Sequence, residues 1–459
     1  MITGLDYGTS NCALSARQQN ATGDTRIALV PLENGKHFLP STLYSLEREL
    51  IVESVAQNIQ NKDAQQDFIT SRRNQLTQAN RVRVTHDIAA SEQALFFGKE
   101  AFSHYLEQPD EGYFVKSPKS FLGSSGFRPQ FIEFFEDIVT AMMQNIKHKA
   151  EMHLGASLTH TVIGRPVNFQ GIHSEKSNTQ ALSILTTAAK RAGYQEVEFL
   201  YEPIAAGFAF EEQLTQDKTV LVIDIGGGTS DCAMVRMGPS YRDKIDRSED
   251  FLSHTGERVG GNDLDIQLAG KNFMPLFGME SELKNGLPMP TQIFWDAVTT
   301  NDVSAQTTFN SLPTEMSLEQ MLRDTKEPKL LNRLLLLRDN KQNFQLVRDA
   351  EQCKIALSDT LVNQVDLNYI EKGLYCDVSR EAYTKAIQPP LSKMIKLMTQ
   401  AVNEAGETPE VVFVTGGSAQ SPIIRDAIRK SLGNVEILDG DHFGSVAAGL
   451  GVWAERIFT

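Results

Sequence analysis

The sequence predicts an α/β protein made of two related lobes, and three observations support this fold class. First, the chain has 459 residues, of which 41% are apolar and 22% are charged. That composition is typical of a globular protein with about two to four folding units. Second, a short segment near the start recurs roughly half a chain later. Third, both copies of this segment lie between runs of residues that are typical of β-strands.

The charge and cysteine content argue against several classes of protein. The net charge of −14 disfavours a nucleic-acid partner or an anionic membrane surface, because both require a basic face. The chain does not begin like a signal peptide, and its apolar stretch at 443–454 is too short to span a bilayer. The four cysteines show no zinc-like pairing, so we expect reduced thiols in a cytoplasmic protein. For Cys12, Cys232 and Cys353 we favour small buried side chains over the alternative of a redox switch.

The repeated segment is the most informative feature. The first copy starts at Leu5 and reads Leu-Asp-Tyr-Gly-Thr-Ser-Asn-Cys-Ala. The second copy starts at Ile223 and reads Ile-Asp-Ile-Gly-Gly-Gly-Thr-Ser-Asp-Cys-Ala. Because strand-like runs flank each copy, each predicts a β-hairpin whose tight turn carries glycine and hydroxyl residues.

The residue types in these hairpins suit the binding of a phosphate chain. Glycines allow a turn to approach a ligand closely and to direct backbone N–H groups toward it. Thr and Ser add hydroxyl donors, and the preceding Asp6 and Asp224 supply oxygen for Mg²⁺, directly or through water. One such hairpin would be interpreted as a structural turn, but two matching copies indicate a duplicated fold that holds phosphates from opposite sides. The sequence has no Walker A, dinucleotide-binding, serine-hydrolase or zinc-protease motif.

With these hairpins, the sequence resembles the superfamily of actin, sugar kinases and heat-shock chaperones. Within it, the likeness is to the ATPase domain of DnaK-type chaperones of the heat-shock protein 70 family, and in particular to the short YegD-like members. Further motifs carry the resemblance, and they are Glu202-Pro-Ile-Ala-Ala-Gly207, Val259-Gly-Gly-Asn-Asp-Leu-Asp265, Glu351-Gln-Cys-Lys-Ile-Ala-Leu-Ser358, Val414-Thr-Gly-Gly-Ser418 and Ser445-Val-Ala-Ala-Gly449.

The resemblance implies an actin-like ATPase fold, in which two ribonuclease H-like lobes of βββαβα topology hold a nucleotide. We expect the first lobe at 1–215, the second at 216–440, and a C-terminal helix at 441–459 that returns to the first lobe. The long stretch before Glu351 predicts a helical or irregular insertion in the second lobe, at about 275–345. Since the chain ends soon after the last ATPase motif, we expect no peptide-binding domain.

The resemblance also implies ATP or ADP with Mg²⁺ as ligands. Asp6 and Asp224 are expected to bind Mg²⁺ through water, and Glu202 is expected to act with both of them in catalysis by positioning the attacking water. The turns are expected to hold the phosphates, and the later motifs the adenosine. The expected nucleotide-binding residues are Gly8, Thr9, Ser10, Asn11, Gly226, Gly227, Gly228, Thr229, Gly260, Gly261, Asn262, Glu351, Lys354, Ser358, Gly416, Gly417 and Ser418.

Four positions depart from the family pattern. The family lysine beside the γ-phosphate belongs to a Gly-x-x-Ala-Lys segment, and Phe102 falls on that lysine position, with Lys99 as the only nearby replacement. This alignment is anchored downstream by the segment at 119–123. Two arginines that sandwich the adenine are replaced by Ile355 and Gln420, and a third position near the adenosine is aligned with Phe443. We therefore expect slow or absent hydrolysis and weakened binding of adenine.

Three functions remain open from the sequence. The first is a chaperone-like ATPase switch that acts on an unknown protein partner through nucleotide-driven closure of the lobes. The second is a nucleotide-binding regulator with little hydrolysis. The third is a small-molecule kinase of the same fold, which would be excluded by phosphate release without transfer of a phosphoryl group.

Overall fold

The structure is a computed structural model that describes residues 1–19, 24–124, 128–169, 174–244, 246–433, 435–440 and 444–459. The described strands, β1 to β16 in chain order, are Ile2–Tyr7, Asn11–Gln19, Thr25–Leu29, Leu39–Pro40, Thr42–Ser45, Leu95–Phe97, Tyr113–Lys116, His160–Arg165, Glu196–Tyr201, Lys218–Ile225, Ser230–Met237, Phe251–Glu257, Val362–Asp366, Tyr375–Ser379, Val411–Thr415 and Glu436–Asp439.

The described α-helices, α1 to α17, are Leu50–Asn58, Lys62–Ser71, Arg73–Thr85, Gly98–Glu107, Pro129–Leu154, Ser174–Arg191, Glu202–Glu211, Gly261–Leu268, Gln292–Val298, Val303–Phe309, Leu312–Asp324, Pro328–Asp339, Asn343–Asp359, Arg380–Ala386, Gln388–Ala405, Pro422–Leu432 and Ser445–Phe458. Short 3₁₀ helices lie at Pro118–Phe121, Ser248–Asp250, Met274–Phe277 and Gly417–Gln420, and a π-helical turn lies at Ala269–Phe273.

The chain divides into two compact units. Unit 1 consists of Met1–Arg258, Lys396–Ala419 and Arg429–Thr459, and unit 2 consists of Val259–Ile395 and Gln420–Ile428. Unit 1 contains both copies of the repeated segment. The lobe boundaries expected from the sequence, at 215/216 and 440/441, remain a prediction.

The two large sheets of unit 1 have the same topology. Their strand orders are β3-β2-β1-β8-β9, with β4 added beside β2, and β12-β11-β10-β15-β16. In each sheet the first three strands form an antiparallel meander, and two parallel strands continue from the first of them. The repeat in the sequence is therefore a repeat in the structure.

Both predicted hairpins are confirmed by the strand pairing. In the first, β1 and β2 pair from Thr3 with Ala16 to Tyr7 with Cys12. In the second, β10 and β11 pair as far as Ile225 with Ser230. Asp6 and Asp224 lie near the ends of their strands, next to the turns.

A second repeat lies in the helices that follow the two sheets. Helix α7 carries Ile-Ala-Ala-Gly-Phe from Ile204, and α17 carries Val-Ala-Ala-Gly-Leu from Val446. The two helices pack on each other and on the strands of unit 1, in a core that includes Phe208 and Leu450. A Cβ at Gly449 would clash with a backbone carbonyl of α7, so the small residues allow the helices to approach closely.

Unit 2 is mainly helical. The insertion predicted at about 275–345 folds into α9 to α12. Pro328 lies in the first turn of α12, a position that needs no intrahelical N–H donor. The leucines of this helix at 331, 334 and 337 are fully buried, as the 3.6-residue period of an amphipathic helix requires. This apolar run therefore belongs to the core of unit 2.

Candidate functional site

The two hairpin turns of unit 1 face each other in direct contact. A Cβ placed on Gly228 would lie 2.8 Å from the Thr9 hydroxyl, and one on Gly227 would clash with the Ser10 hydroxyl. A side chain at either position would meet the opposite turn, so the two glycines allow the turns to lie this close together. The structure therefore brings together the two segments that the sequence predicted to hold one phosphate chain.

Four carboxylates surround these turns within unit 1. Asp6 and Asp224 occupy equivalent positions on β1 and β10, and Asp231 lies opposite Asp224 in the strand pairing. Glu202 is the first residue of α7, directly after β9. Glu202, Asp224 and Asp231 are each at least nine-tenths buried. Such a concentration of buried acidic groups is unfavourable without compensating charge.

Lys119 supplies part of that compensation, and the sequence interpretation did not assign it a role. It lies in the 3₁₀ helix Pro118–Phe121, it is 6% exposed, and its ammonium forms a buried ion pair with Glu202. Burial alone would lower the pKa of Lys119, but the negative charges of Glu202 and Asp6 outweigh it, so the pKa is raised. The ammonium therefore remains protonated at neutral pH.

The backbone before Lys119 explains why this side chain points inward. Ser117 has a left-handed conformation with φ 56°, and its N–H donates to the Ser41 carbonyl at 2.8 Å. Ser41 in turn donates its hydroxyl to the Gly8 carbonyl at 2.7 Å. The Lys119 segment is thus tied to the first hairpin turn by hydrogen bonds.

The expectation that no lysine lies at this site is wrong. Phe102 lies on α4, where its ring packs edge-on against Tyr105 and Phe114, with centroids 5.6 and 5.5 Å away. Lys99, the replacement considered from the sequence, is exposed at the start of the same helix. A sequence signal for Lys119 existed, since this lysine begins the downstream anchor segment at 119–123, but the motif alignment put the family lysine position at Phe102 instead.

Burial and mutual repulsion alter the protonation of the carboxylates. Burial and the charge of Glu202 raise the pKa of Asp6 to about 7, although Lys119 opposes the rise. Burial, with Glu202 and Asp231 nearby, raises the pKa of Asp224 well above its usual range. Burial and Glu202 also raise the pKa of Asp231 to about 7, even though its carboxylate accepts an N–H from Val167 at 2.8 Å. The cluster is therefore short of positive charge.

A divalent cation fits this donor set. Carboxylate oxygens are preferred ligands of Mg²⁺, and a nearby cation would favour ionised Asp6 and Asp224. Among the residues that the structure describes, no group of three or more His, Cys, Asp or Glu is placed to hold a metal directly. Asp6 and Asp224 are the residues that would contact the hydration shell of Mg²⁺.

Gly416 joins the same cluster. This residue follows β15 with φ 87°, and a Cβ there would lie 2.9 Å from the Asp224 carboxylate and would clash with the Ile225 carbonyl. Gly417 and Ser418 continue into the 3₁₀ helix Gly417–Gln420. The predicted strand with a terminal glycine pair is therefore present beside the second hairpin.

The other predicted nucleotide-binding residues lie in unit 2. Gly260 caps α8, which begins with Gly261 and Asn262, and the motif at 351–358 lies on α13. Lys354 joins these two motifs, since its ammonium pairs with Asp265 at 2.8 Å and donates to the Gly261 carbonyl at 3.3 Å.

On α13, the side chains of Glu351, Lys354 and Ser358 are all half-buried, whereas Ile355 is 53% exposed. Gln420 also belongs to unit 2, and Phe443 lies outside the described residues. The proposed loss of two adenine-stacking arginines remains a prediction.

The cysteines have the environment of structural thiols. All four are buried and unbridged. Burial raises the pKa of Cys12 to about 12 and also raises the pKa of Cys353, so the reactive thiolate is disfavoured. These environments support the interpretation of the cysteines as small buried side chains. Over its described length, the chain has no helix with the span and apolarity needed to cross a bilayer.

A comparison with protein-family models matches residues 2–271 to the family described as Hsp70 protein. The matched range covers more than half of the chain. It includes both hairpins, Lys119, Glu202 and the turn at Gly260, and it ends before α13. The match confirms the predicted actin-like ATPase fold, and it leaves the likeness to YegD-like members as a prediction.

Proposed function

The chain belongs to the Hsp70 family, whose members are chaperone-type ATPases that use ATP or ADP with Mg²⁺, and from that premise we propose that it hydrolyses ATP at the cluster around Asp6 and Asp224. The observation that carries this proposal is the buried ion pair of Lys119 with Glu202 beside two facing glycine-containing turns.

The turns bind and orient the phosphates in this proposal. Backbone N–H groups of Gly8–Asn11 and Gly226–Thr229, together with the Thr and Ser hydroxyls, act as donors to phosphate oxygens. Phosphoryl transfer requires little covalent chemistry from the protein, so positioning and electrostatic stabilisation account for most of the catalysis. The contact between the two turns provides the positioning.

Lys119 and Glu202 act on the reacting atoms. The Lys119 ammonium stabilises the negative charge of the transferred phosphoryl group, and its pair Glu202 accepts a hydrogen bond from the attacking water. Asp6 and Asp224 hold the hydration shell of Mg²⁺, which when bound neutralises charge on the phosphate oxygens. With Mg²⁺ present, both carboxylates are ionised despite their raised pKa values.

The remaining assignments extend this proposal. The residues predicted from the sequence to bind the adenosine are Glu351, Lys354 and Ser358 and the glycine pair at 416–417, and the bound nucleotide is proposed to drive closure of the two predicted lobes, which acts on an unknown protein partner. The second candidate, a non-hydrolysing regulator, was favoured by the assumed loss of the lysine, and Lys119 removes that support. A small-molecule kinase is distinguished by its need for an acceptor other than water.

The test combines binding and turnover on the same sample. Mg²⁺-ADP should bind once per chain and raise the free energy of unfolding by about 2.7 kcal/mol at one hundred times the dissociation constant. Phosphate release should require no acceptor, and Glu202→Gln should slow it while ADP affinity is retained. If Mg²⁺-ATP gives neither a calorimetric signal nor a thermal shift, nucleotide binding is refuted. If ATP binds but no phosphate is released, the ATPase proposal is refuted and the non-hydrolysing regulator becomes the supported function.

A further inference from the structure

Helix α7 carries Glu202 at one end and a second buried carboxylate at the other. Glu202 is its first residue, and Glu211, whose side chain has no exposed surface, is its last. Every residue of the helix except Ala209 is buried. Because a helix enclosed by close-packed neighbours moves as one body, whatever fixes Glu211 also contributes to the position of Glu202.

Arg247 fixes Glu211 through a buried ion pair, in which neither side chain is exposed. Nη1 of Arg247 donates to one carboxylate oxygen of Glu211 at 3.0 Å, and Nη2 donates to the other at 3.1 Å. Two parallel bonds of this kind match a planar guanidinium to a carboxylate and specify their geometry. The same guanidinium lies over the ring of Phe208, one turn earlier on α7, with its central carbon 5.3 Å from the ring centroid.

The other N–H groups of Arg247 are also paired. Nε donates to the Asp250 carboxylate at 2.7 Å, Nη1 to the Tyr241 carbonyl at 3.3 Å and Nη2 to the Arg236 carbonyl at 3.0 Å. A guanidinium has five N–H donors, and each of the five has an acceptor here. Since these three acceptors lie in β11 and in the connection between β11 and β12, Arg247 joins α7 to the second large sheet.

The same connection, of which the structure describes 238–244 and 246–250, also holds the backbone at the end of α7. Nε and Nη2 of Arg242 donate to the Glu211 carbonyl at 3.1 and 2.7 Å. These bonds satisfy a carbonyl that has no partner within the helix. The N–H of Gly238 donates to the Glu211 carboxylate at 3.2 Å. The last turn of α7 is therefore held by its side chain and by its backbone.

Stability alone is a weak reason for a buried ion pair. The desolvation of two charges offsets much of their attraction, and apolar residues of similar size often stabilise a core as well or better. Two parallel hydrogen bonds differ from apolar packing because they hold a helix in one position along its axis and in one rotation about it. The pair of Arg247 with Glu211 therefore fixes the placement of α7.

We propose that Arg247 is a positioning residue for Glu202, a role that rests on the proposed ATPase activity. Through Glu211 it holds α7 where the Glu202 carboxylate meets Lys119 and the attacking water. A misplacement of about 1 Å caused far from the chemistry can cost about 10²-fold in rate. Loss of the two parallel bonds should therefore lower the rate of phosphate release, while the turns that hold the phosphates keep their affinity for nucleotide.

The experiment combines Arg247→Lys with Glu202→Gln in a double-mutant cycle. Lysine keeps the charge but cannot make the two parallel bonds to Glu211. At saturating Mg²⁺-ATP, Arg247→Lys should lower the rate of phosphate release about tenfold, with the dissociation constant of Mg²⁺-ADP changed by less than about twofold. In the Glu202→Gln background, Arg247→Lys should cause no further loss, because its effect passes through Glu202.

Arg72→Lys is the matched control for a buried arginine of unit 1. Arg72 is 3% exposed, and its Nε lies 3.1 Å from the carboxylate of Asp137 on α5, in an ion pair that does not involve α7. This variant should lower the midpoint of denaturant unfolding, as Arg247→Lys does, but it should leave the rate of phosphate release unchanged. Retained affinity for Mg²⁺-ADP shows that each variant is folded.

Glu211→Gln is a milder second variant, since it keeps the size of the side chain and one hydrogen-bond acceptor. It should also slow phosphate release, with no further loss in the Glu202→Gln background. The proposal is overturned if neither variant slows release, if either loss multiplies with that of Glu202→Gln, or if Arg72→Lys slows release as much. A wild type that binds ATP without releasing phosphate would overturn the ATPase proposal and this one together, which distinguishes that result from failure of the positioning role alone.

Discussion

The two sheets of unit 1 share strand order and direction, yet they contribute different chemistry. Asp6 and Asp224 are equivalent and both are retained, whereas the position of Asn11 in the first hairpin is taken by the buried Asp231 in the second. After the fifth strand, the first sheet continues directly into Glu202. The comparison teaches that the duplication provides a symmetric frame and that unequal substitutions distinguish the two halves of the proposed reactive centre.

The second sheet has glycine where the first has Glu202. Gly440 follows β16, and a Cβ at that position would lie 2.7 Å from the Ser445 hydroxyl. The first half also contains Lys119, in the long connection between β3 and β8, and its partner Glu202 is on the same half. The charged pair that we propose to act on the reacting atoms thus belongs to the first half alone.

The most stringent test of this difference between the two halves is to remove the Lys119 ammonium of the first half. Lys119→Ala should lower the rate of phosphate release by about 10²–10³, or roughly 3–4 kcal/mol, because a preorganised charged group is lost from the transition state. Mg²⁺-ADP affinity measured by calorimetry should change far less. Lys176→Ala is the matched control for an exposed lysine, and Phe102→Lys should give no gain. Full activity in Lys119→Ala would show that the asymmetry has no catalytic meaning.

The contact between the two turns can be tested next. Gly227→Ala should destabilise the protein by about 1–3 kcal/mol, since its Cβ overpacks against the Ser10 hydroxyl. Ser10→Gly in the same chain should recover part of that loss in a double-mutant cycle of denaturant unfolding. Gly226→Ala is the stability control, because its nearest neighbour, the Thr229 carbonyl, would be 3.5 Å away. Additive effects would mean that the turns do not touch.

The carboxylate cluster should give the ligand-free protein an unusual pH dependence. The pKa values of Asp6 and Asp231 rise from 3.8 to about 7 on folding, so the folded chain binds more protons than the unfolded chain between these values. The free energy of unfolding should therefore fall as pH rises from about 4 to about 7. Each unit of pKa shift corresponds to about 1.4 kcal/mol, so we expect a loss of several kcal/mol across this range.

Denaturant unfolding between pH 5 and 8 measures this effect. Asp6→Asn should flatten the slope, and saturating Mg²⁺-ADP should do the same. Asp246→Asn is the control, because Ser248 lowers the pKa of this exposed carboxyl and keeps its titration below the measured range. A wild-type stability that rises from pH 5 to 7 would contradict the proton binding assigned to the cluster.

The smallest expected effect concerns adenine. If Ile355 replaces a stacking arginine, Ile355→Arg should tighten ADP binding by about 0.5–1 kcal/mol, or roughly two- to fivefold, as for a cation over an aromatic face at an exposed site. Calorimetry with ADP measures this change, and Leu361→Arg, at another exposed apolar position, is the control. An unchanged ADP affinity in Ile355→Arg, or an equal gain in the control, would remove Ile355 from the adenine site.

Much of the fold could be predicted from the sequence, because the patterns that indicate its strands and turns lie in short segments of the chain. The hairpins follow from strand-like runs on either side of glycine-containing turns, whereas α13 and α17 were expected from the family resemblance of their motifs. The equal topology of the two sheets was predictable only as a consequence of the repeat. Gly416 was correctly expected after a strand, but its contact with Asp224 depends on β15 lying beside β10.

The sequence by itself determined the duplicated α/β frame and the positions of Asp6 and Asp224 on it, because strand-like runs and turn residues are local properties, and the family resemblance added Glu202. Only the tertiary structure decided which lysine reaches these carboxylates. Lys119 and Glu202 are 83 positions apart, and their meeting depends on the left-handed Ser117 and on its hydrogen bond to Ser41, far away in the chain. A motif alignment has no access to a direction set by such long-range contacts, and for that reason it selected Phe102.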